Sequence, residues 1–510
     1  MSEALKRITA TIAAGTVGQV IVFLSRIVLV PLYLTAWGTN GYGQWILISS
    51  FAAYLGTLDI GVQMYVMNRL TQAHSRGDLD EYHIQQNTAF AYYAVLAAAA
   101  SAALALFVYS TDVSRVLGAD MPPLELAHVL MLLGAGIVWA LPASIIWNTA
   151  RTAGNPAASQ WFSNLQTAGV LLFSAAALLL LPSMKLVAAI PLVSVLATCA
   201  VAYAYNRRRV PEVRLGLRAA SAREAASMIR PSALFGLIVV AVALGQQIPL
   251  LLISHSIGIV AVAVFATSRT LAGLIRQVVS LLGNATWTDL TRLESRGDSE
   301  RLSSAMRILV ATSMLAVIAL AGALWFDVPA VIHYWTRGRI EPDLGLLRLM
   351  LLQVVVQTLW MSASNIPAAT NRHRSLSMSY MVSNVAGVAL SALLLPRFGL
   401  NAIPISFIAA EIVACVHFVL RDACKIVGMD YPAFLVKTVS GSAIMSVAVW
   451  AAALAIQATI PGGAATRLTA SMVFVPLVAA GVAWIFLFTV EDRQRLLGWA
   501  KRIAPPEGVA

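Results

Sequence analysis

Long apolar windows recur along the whole chain, each near the ~20 residues that a helix needs to cross a bilayer core of about 30 Å. Fourteen can be marked: 8–36, 42–69, 86–110, 124–150, 157–181, 186–206, 231–255, 259–289, 304–326, 344–369, 376–396, 401–420, 435–458 and 467–490. Short polar segments rich in Gly, Pro, Asn, Asp and Arg separate them, and these are the residue types that end helices. The pattern predicts an all-α polytopic membrane protein with about fourteen transmembrane helices. The first apolar run, from Ile8, far exceeds a signal-peptide core of about 7 to 15 residues and has no convincing cleavage site after it, so it reads as a retained helix.

Composition agrees with that pattern. Of 510 residues 59% are hydrophobic and 11% charged, where a soluble globular domain carries roughly 25% charged residues. Cys199 and Cys415 lie in apolar runs and Cys424 close after one. That spacing makes neither a disulfide framework nor a metal-ligand set, so no metal and no cofactor is expected. The basic residues give direction, because Lys and Arg are held back on the cytoplasmic side. With the N-terminus inside, 25 of the 35 Lys and Arg fall in cytoplasmic segments, 6 in the opposite ones, and four within spans. Both termini are therefore expected in the cytoplasm. The net charge of +12 is then a topology signal. With no aromatic-interleaved basic domain, no nucleic-acid partner is expected; membrane lipids are. Seven arginines crowd residues 207–230, which reads as a cytoplasmic loop first and as a phospholipid-binding surface second.

The tetrapeptide SRGD occurs twice, at Ser75–Asp78 and Ser295–Asp298, an offset of 220 residues. Each copy follows the second helix of a six-helix set. The same offset pairs Gly38 with Gly258, Trp45 with Phe265 and Arg26 with Gln246, and "TAGN" ending at Asn155 has a counterpart in "AATN" ending at Asn371 at an offset of 216. Helices 1–6 and 7–12 thus read as two diverged copies. An even number of helices per copy makes the repeat parallel, giving two six-helix lobes around a central cavity. The expected organisation is an N-lobe over 1–206, a basic cytoplasmic connection over 207–230, a C-lobe over 231–420, two additional helices over 421–490 and a cytoplasmic basic tail over 491–510.

Ionisable groups at membrane depth cost several kcal/mol unless paired or hydrated, so each is a functional candidate. Arg26 in "VFLSRIVLVP" belongs to helix 1 and Asp59 in "GTLDIGVQ" to helix 2; Arg269 and Arg276 in "ATSRTLAGLIRQ" are seven residues apart, on one face of helix 8. Glu411 lies mid-span in helix 12. Guanidinium groups match phosphate oxygens in a bidentate fork, so these arginines suit a polyanion such as a pyrophosphate head. The bland alternatives are that Arg26 and Asp59 neutralise each other, that Arg276 reaches cytoplasmic carbonyls, and that Glu411 sits as a neutral acid against a hydroxyl or else binds a proton or cation. Gln246 and Gln247 line the same cavity or merely hydrogen-bond between helices. Trp45, Trp139 and Trp147 stack on sugars or anchor at the interface. Pro31, Pro142 and Pro249 favour bends. The longest outward segment, 327–343, carries no acid–base constellation, so no catalytic residues are assigned and an enzyme is disfavoured.

The opening stretch "LSRIVLVPLYLTAWGTNGYGQWILISSFAAYLGTLDIGVQMYVMNRL" resembles the first two helices of the Wzx-type polysaccharide flippases, which carry O-antigen and exopolysaccharide units and belong to the multidrug/oligosaccharidyl-lipid/polysaccharide exporter superfamily. The shared features are an Arg and a Pro in helix 1, a Gly-Tyr-Gly turn, a Trp, and an Asp-Ile-Gly in helix 2. The resemblance implies that an undecaprenyl-diphosphate-linked oligosaccharide passes from the inner to the outer leaflet by alternating access, with a polysaccharide polymerase and a chain-length regulator as partners. Lipid II flippases of the same superfamily also have fourteen helices and use cavity arginines, a role this resemblance carries onto Arg26 and Arg269. They are richer in cations in helix 1, where this chain has only Arg26, so lipid II is the less expected cargo. A multidrug/cation antiporter of the superfamily would be expected to show twelve helices and an acidic cavity.

Overall fold

The computed structural model describes residues 3–503 apart from 212, 214, 217–219, 296, 371 and 373. Arg214, Arg218, Arg296 and Asn371 therefore lie outside the described residues. The described residues form helices joined by short turns, with no strand among them. Twelve helical runs are long and apolar enough to cross a membrane. Two of these each hold two of the expected segments, which reconciles twelve runs with fourteen windows. The chain divides into two compact units, Met1–Ala266 with Trp335–Ile340, and Thr267–Tyr334 with Glu341–Ala510.

In the first unit, α1 (Glu3–Ala53) contains expected helix 1 and the start of helix 2, reversing at Gly38, whose φ of 68° only glycine adopts readily. Expected helix 2 is not continuous over 42–69. It tightens into a 3₁₀ turn at Tyr54–Leu58, opens at Asp59 (ψ 81°) and Gly61 (φ 81°), and resumes as α2 (Val62–Arg76). The Asp59 carboxylate accepts the Gln63 amide across the break, 3.1 Å away. Then follow α3 (Leu79–Ser110), α4 (Val113–Leu117), α5 (Pro123–Thr152), α6 (Pro156–Leu180), α7 (Met184–Arg209) and α8 (Ala222–Ser256). Buried along much of its length, α5 carries Leu126, Leu130 and Ile145 into the core against α3, α6 and α7. Gly136 allows a close approach to the α7 backbone: a Cβ there would lie 3.0 Å from the Leu192 nitrogen, the small-residue contact that membrane helices use in place of a hydrophobic driving force.

The two SRGD turns share one hydrogen-bond pattern. Gly77 (φ 72°) and Gly297 (φ 67°) end one helix in the left-handed conformation, and the following aspartate caps the next. Asp78 accepts from the Glu81 amide at 2.9 Å and Asp298 from the Arg301 amide at 3.1 Å. The Gly-Asp pair does the same work in both turns: Gly supplies the conformation, Asp the capping oxygen.

Residues Trp335–Ile340 pack with the first unit and satisfy carbonyls that α1 leaves open. Pro31 lacks an N–H, so the Ile27 carbonyl one turn earlier loses its helical donor. The Trp335 indole donates to that oxygen at 2.8 Å. Arg339 donates to the Leu34 carbonyl at 2.6 Å, just before the break at Gly38. Trp335→Phe should therefore destabilise the protein by about 1–3 kcal/mol, the cost of a buried unmet acceptor. In a Pro31→Ala background, where the helix itself refills Ile27, part of that loss should vanish, with a coupling of about 0.6 to 1.7 kcal/mol, as for other membrane-helix pairs. Thermal unfolding of the four proteins in one detergent measures it; additive losses would remove the pairing of Trp335 with the proline gap.

α9 (Ile259–Ser295) begins in the first unit and ends in the second. The rest of the second unit is α10 (Ser299–Leu324), α11 (Val328–Thr336, through Tyr334), α12 (Leu344–Ala363), α13 (Asn365–Ala369), α14 (Arg374–Phe398), α15 (Ala402–Glu411), a π-helical turn over Ile412–Val416, α16 (His417–Ile426), α17 (Tyr431–Thr459), α18 (Ala464–Phe486) and α19 (Val490–Ile503). Its core centres on Met306, Leu309, Met314 and Ile318 of α10, packed against α12, α17 and α18. α19 docks on the start of α10 through Asp492, which is 1% exposed and accepts from Ser304 at 3.1 Å and from Arg307 at 3.2 Å. Burial alone would raise the Asp492 pKa, but hydrogen bonds from Thr489 and Arg307 and the Arg307 charge prevail and hold it below the usual range. A depressed pKa means stability that is present above the unfolded value of about 3.9 and lost as pH falls through the lower folded value. Docking of α19 should thus be insensitive to pH near neutrality and weaken only in strong acid, whereas Asp492→Asn should loosen it at pH 7. Tryptic cleavage after Arg493 and Arg495 reports this directly, and equal protection of both proteins at pH 7 would contradict it.

Candidate functional site

The polar groups at membrane depth fall into a cluster in the second unit and a set of separate positions in the first. In the second unit, Glu411 is 3% exposed at the end of α15. Its carboxylate takes neutral donors from α12: Gln357 Nε2 reaches Oε1 at 3.1 Å, Trp360 Nε1 reaches Oε2 at 3.2 Å, and the Gln353 side chain hydrogen-bonds to it as well. The other end of the Gln357 amide accepts from Arg276 of α9 at 3.3 Å. A guanidinium, an amide and a carboxylate thus form one chain across three helices. Tyr380 of α14 lies beside Trp360, with ring centroids 5.5 Å apart. The helix leaves Glu411 by the π turn, an irregularity that often marks functional sites.

The geometry brings together two residues that the sequence treats separately, Arg276 and Glu411, and it joins them through Gln357 rather than by direct contact. A carboxylate held by neutral donors, with a cation one amide away, can take up or release a proton or small cation without losing its neighbours. Arg269 lies half-buried two turns before Arg276 on the same face of α9. Sequence reading missed Gln357 and Trp360. Their spacing of three on one membrane helix was the available signal, since it places both on one face.

In the first unit, Asp59 sits at the break before α2, and its Oδ1 accepts from the Tyr93 hydroxyl at 2.7 Å as well as from the Gln63 amide. These bonds give the carboxylate a local task, holding an open helix end to α3. Arg26 is exposed on α1, while Gln246 and Gln247 are half-buried on α8. Trp45 is 7% exposed, with Tyr33 and Trp37 at 5.6 and 5.4 Å between ring centroids, so its faces serve packing beside the break at Gly38. Trp147 packs in a small buried cluster with Phe162, and Trp139 is 38% exposed. Among the described residues no three of His, Cys, Asp and Glu come together in a group able to hold a metal ion.

No family model and no curated protein matches the sequence. Solved structures do match in shape. A lipid II flippase, MurJ in an inward closed conformation, aligns with a TM-score of 0.68 at 12% identity, covering 96% of this chain and 100% of the flippase. An inward-facing multidrug resistance MATE transporter of the MOP superfamily aligns at 0.64 and 16% identity, covering 83% and 98%. The chain shares the fold of these two structures. A third structure, a MOP superfamily transporter from Pyrococcus furiosus described by a binding pocket of reverse polarity suggesting a different function, aligns at 0.58 and 15% identity, over 82% of this chain and 95% of its own.

Proposed function

We propose that the protein is a flippase that carries an undecaprenyl-diphosphate-linked oligosaccharide from the inner to the outer leaflet of the bacterial cytoplasmic membrane, for surface polysaccharide synthesis. Both termini lie in the cytoplasm in this reading, and no catalytic chemistry is involved. The supporting observation is length: the lipid-carrying relative aligns over 96% of the chain and the multidrug transporter over 83%. The opening "LSRIVLVP" to "LDIG" stretch, with its resemblance to polysaccharide flippases, agrees with a lipid-linked glycan. Arg269 is the leading group for the diphosphate in the second unit, with Arg276 on the same helix; in the first unit Arg26, Gln246 and Gln247 are separate candidate contacts for the cargo; Glu411 links transport to a proton or cation.

Two other cargoes fit the fold, lipid II and an organic cation. Proteoliposomes holding the protein distinguish all three. Leaflet transfer of a labelled polyprenyl-diphosphate oligosaccharide, without uptake of organic cations, is the expected result. Uptake of organic cations with no lipid transfer would overturn the proposal, and transfer restricted to lipid II would reassign the glycan.

A further inference from the structure

In the second unit, α12 and α17 both pack on α10 and leave a gap between themselves. The gap is an apolar groove of about 280 Å³. Its floor is α10, where Ile318, Gly322 and Trp325 lie one turn apart on one face. A Cβ at Gly322 would collide with Val449, so this glycine lets α17 come in close on one side. Leu351, Leu352 and Val355 of α12 form one wall, and Val447 and Trp450 of α17 the other. The groove opens outward, since Leu352, Val447 and Trp450 are 45%, 67% and 47% exposed. From Ile318 to Trp325, at 1.5 Å of rise per residue, it runs for about 10 Å.

Arg348 stands at one end of this groove. Spacings of three, four and seven residues put it on the face of α12 that carries Leu351, Leu352 and Val355. Its guanidinium carbon lies 5.6 Å from the centre of the Trp325 ring, where the floor ends. Arg348 is half-buried, and of its three guanidinium nitrogens only Nε is enclosed without a partner. The two terminal nitrogens are open at the surface and make no hydrogen bond to the described residues. The nearby carboxylates have other tasks: Asp343 caps α12 by accepting from the Leu346 amide at 3.0 Å, and Asp327 accepts from Gln457 at 2.7 Å. A charge on a membrane helix with open donors and no counter-ion calls for an anion. The transport cluster lies on the other side of the same helix, because Gln353, Gln357 and Trp360 are roughly 160° around α12 from the groove face.

We propose that this groove holds one anionic phospholipid, with an acyl chain between α12 and α17 and the phosphate on the open guanidinium nitrogens of Arg348. The apolar walls take the chain, and a single guanidinium takes one phosphate in a fork. Its place away from Gln353, Gln357 and Trp360 makes this lipid a resident of the second unit and not the cargo, so the proposal does not depend on what is carried. The chain fills a gap in the packing of α10, α12 and α17.

Purified full-length protein in phosphatidylcholine nanodiscs tests it with a phosphatidylglycerol that carries a photoreactive diazirine in one acyl chain. Cross-links mapped by mass spectrometry should concentrate on α12 and α17, at Leu352, Val355 and Val447. Unlabelled phosphatidylglycerol should displace the probe at least tenfold better than phosphatidylcholine, whose choline charge opposes Arg348. Arg348→Gln should remove that preference, whereas Arg397→Gln, at an exposed arginine of the same unit, should keep it. Val447→Trp, which fills the groove from its open side and leaves the charge in place, should lower labelling of α12 at least tenfold. Cross-links spread evenly over the outer helix faces, equal losses from the two arginine changes, or unchanged α12 labelling in Val447→Trp would mean ordinary bilayer lipid and overturn the proposal. Displacement by undecaprenyl phosphate at lower concentration than by phosphatidylglycerol would give the groove to a polyprenyl chain and overturn it as well.

Discussion

Arg269→Ala is expected to abolish surface glycan export while leaving the protein at normal abundance in the membrane. The charge sits half-buried on α9, where a guanidinium is retained only with work to do. A diphosphate offers oxygens that accept two parallel N–H bonds, and hydrogen bonds to charged groups contribute roughly 1.5–3 kcal/mol each. Arg269→Lys keeps the charge and loses the fork, so export should fall by on the order of tenfold to a hundredfold, since each tenfold corresponds to about 1.4 kcal/mol. The graded order Arg, Lys, Ala separates cargo binding from helix packing. For packing, Lys and Ala would both act through expression and unfolding, and export per molecule would stay constant. An Ala variant at normal abundance with normal export would remove Arg269 from the site.

The fold was largely legible because membrane helices advertise themselves. An apolar run of the length of α5 or α17 has no other stable form in a bilayer. The SRGD turns were legible too, since Gly and Asp perform backbone tasks that their local sequence specifies. Less legible was the opening of helix 2 at Asp59. "GTLDIGVQ" reads as continuous apolar helix, and the break becomes visible only when Tyr93, from the next helix, is seen to hold the carboxylate. The repair of the Pro31 gap by Trp335 was also hidden, because 308 residues separate donor from acceptor. The same limit applies to the polar cluster. Arg276 and Glu411 were identifiable as charges out of place, but nothing local ties them to Gln357, and a glutamine in a membrane helix reads as ordinary interhelical bonding.

Exchanging the charge within the Glu411 cluster should separate its stability from its use. In Glu411→Gln, one end of the new amide must point an N–H at either Gln357 Nε2 or Trp360 Nε1, donor against donor. Gln357 cannot turn to relieve this, since its oxygen is held by Arg276 at 3.3 Å. Of these two buried bonds one is lost in either arrangement, a destabilisation of about 1–3 kcal/mol. Adding Gln357→Glu restores the pairings among Arg276, position 357, position 411 and Trp360. The new carboxylate at position 357 accepts from Arg276 and from the amide nitrogen introduced at position 411, and the oxygen of that same introduced amide accepts from Trp360. The double variant should therefore unfold within about 1 kcal/mol of the parent, by the coupling expected of residues in one network. Export should behave differently. If Glu411 exchanges a proton or cation beside the π turn, a carboxylate moved to position 357 lies directly against Arg276 and is held ionised, so the double variant should be stable and still fail to export. Thermal unfolding and surface glycan measured on the parent and the two variants give the answer. Recovery of export together with stability would make the cluster a packing device, and coupling would then have to be sought at another acid.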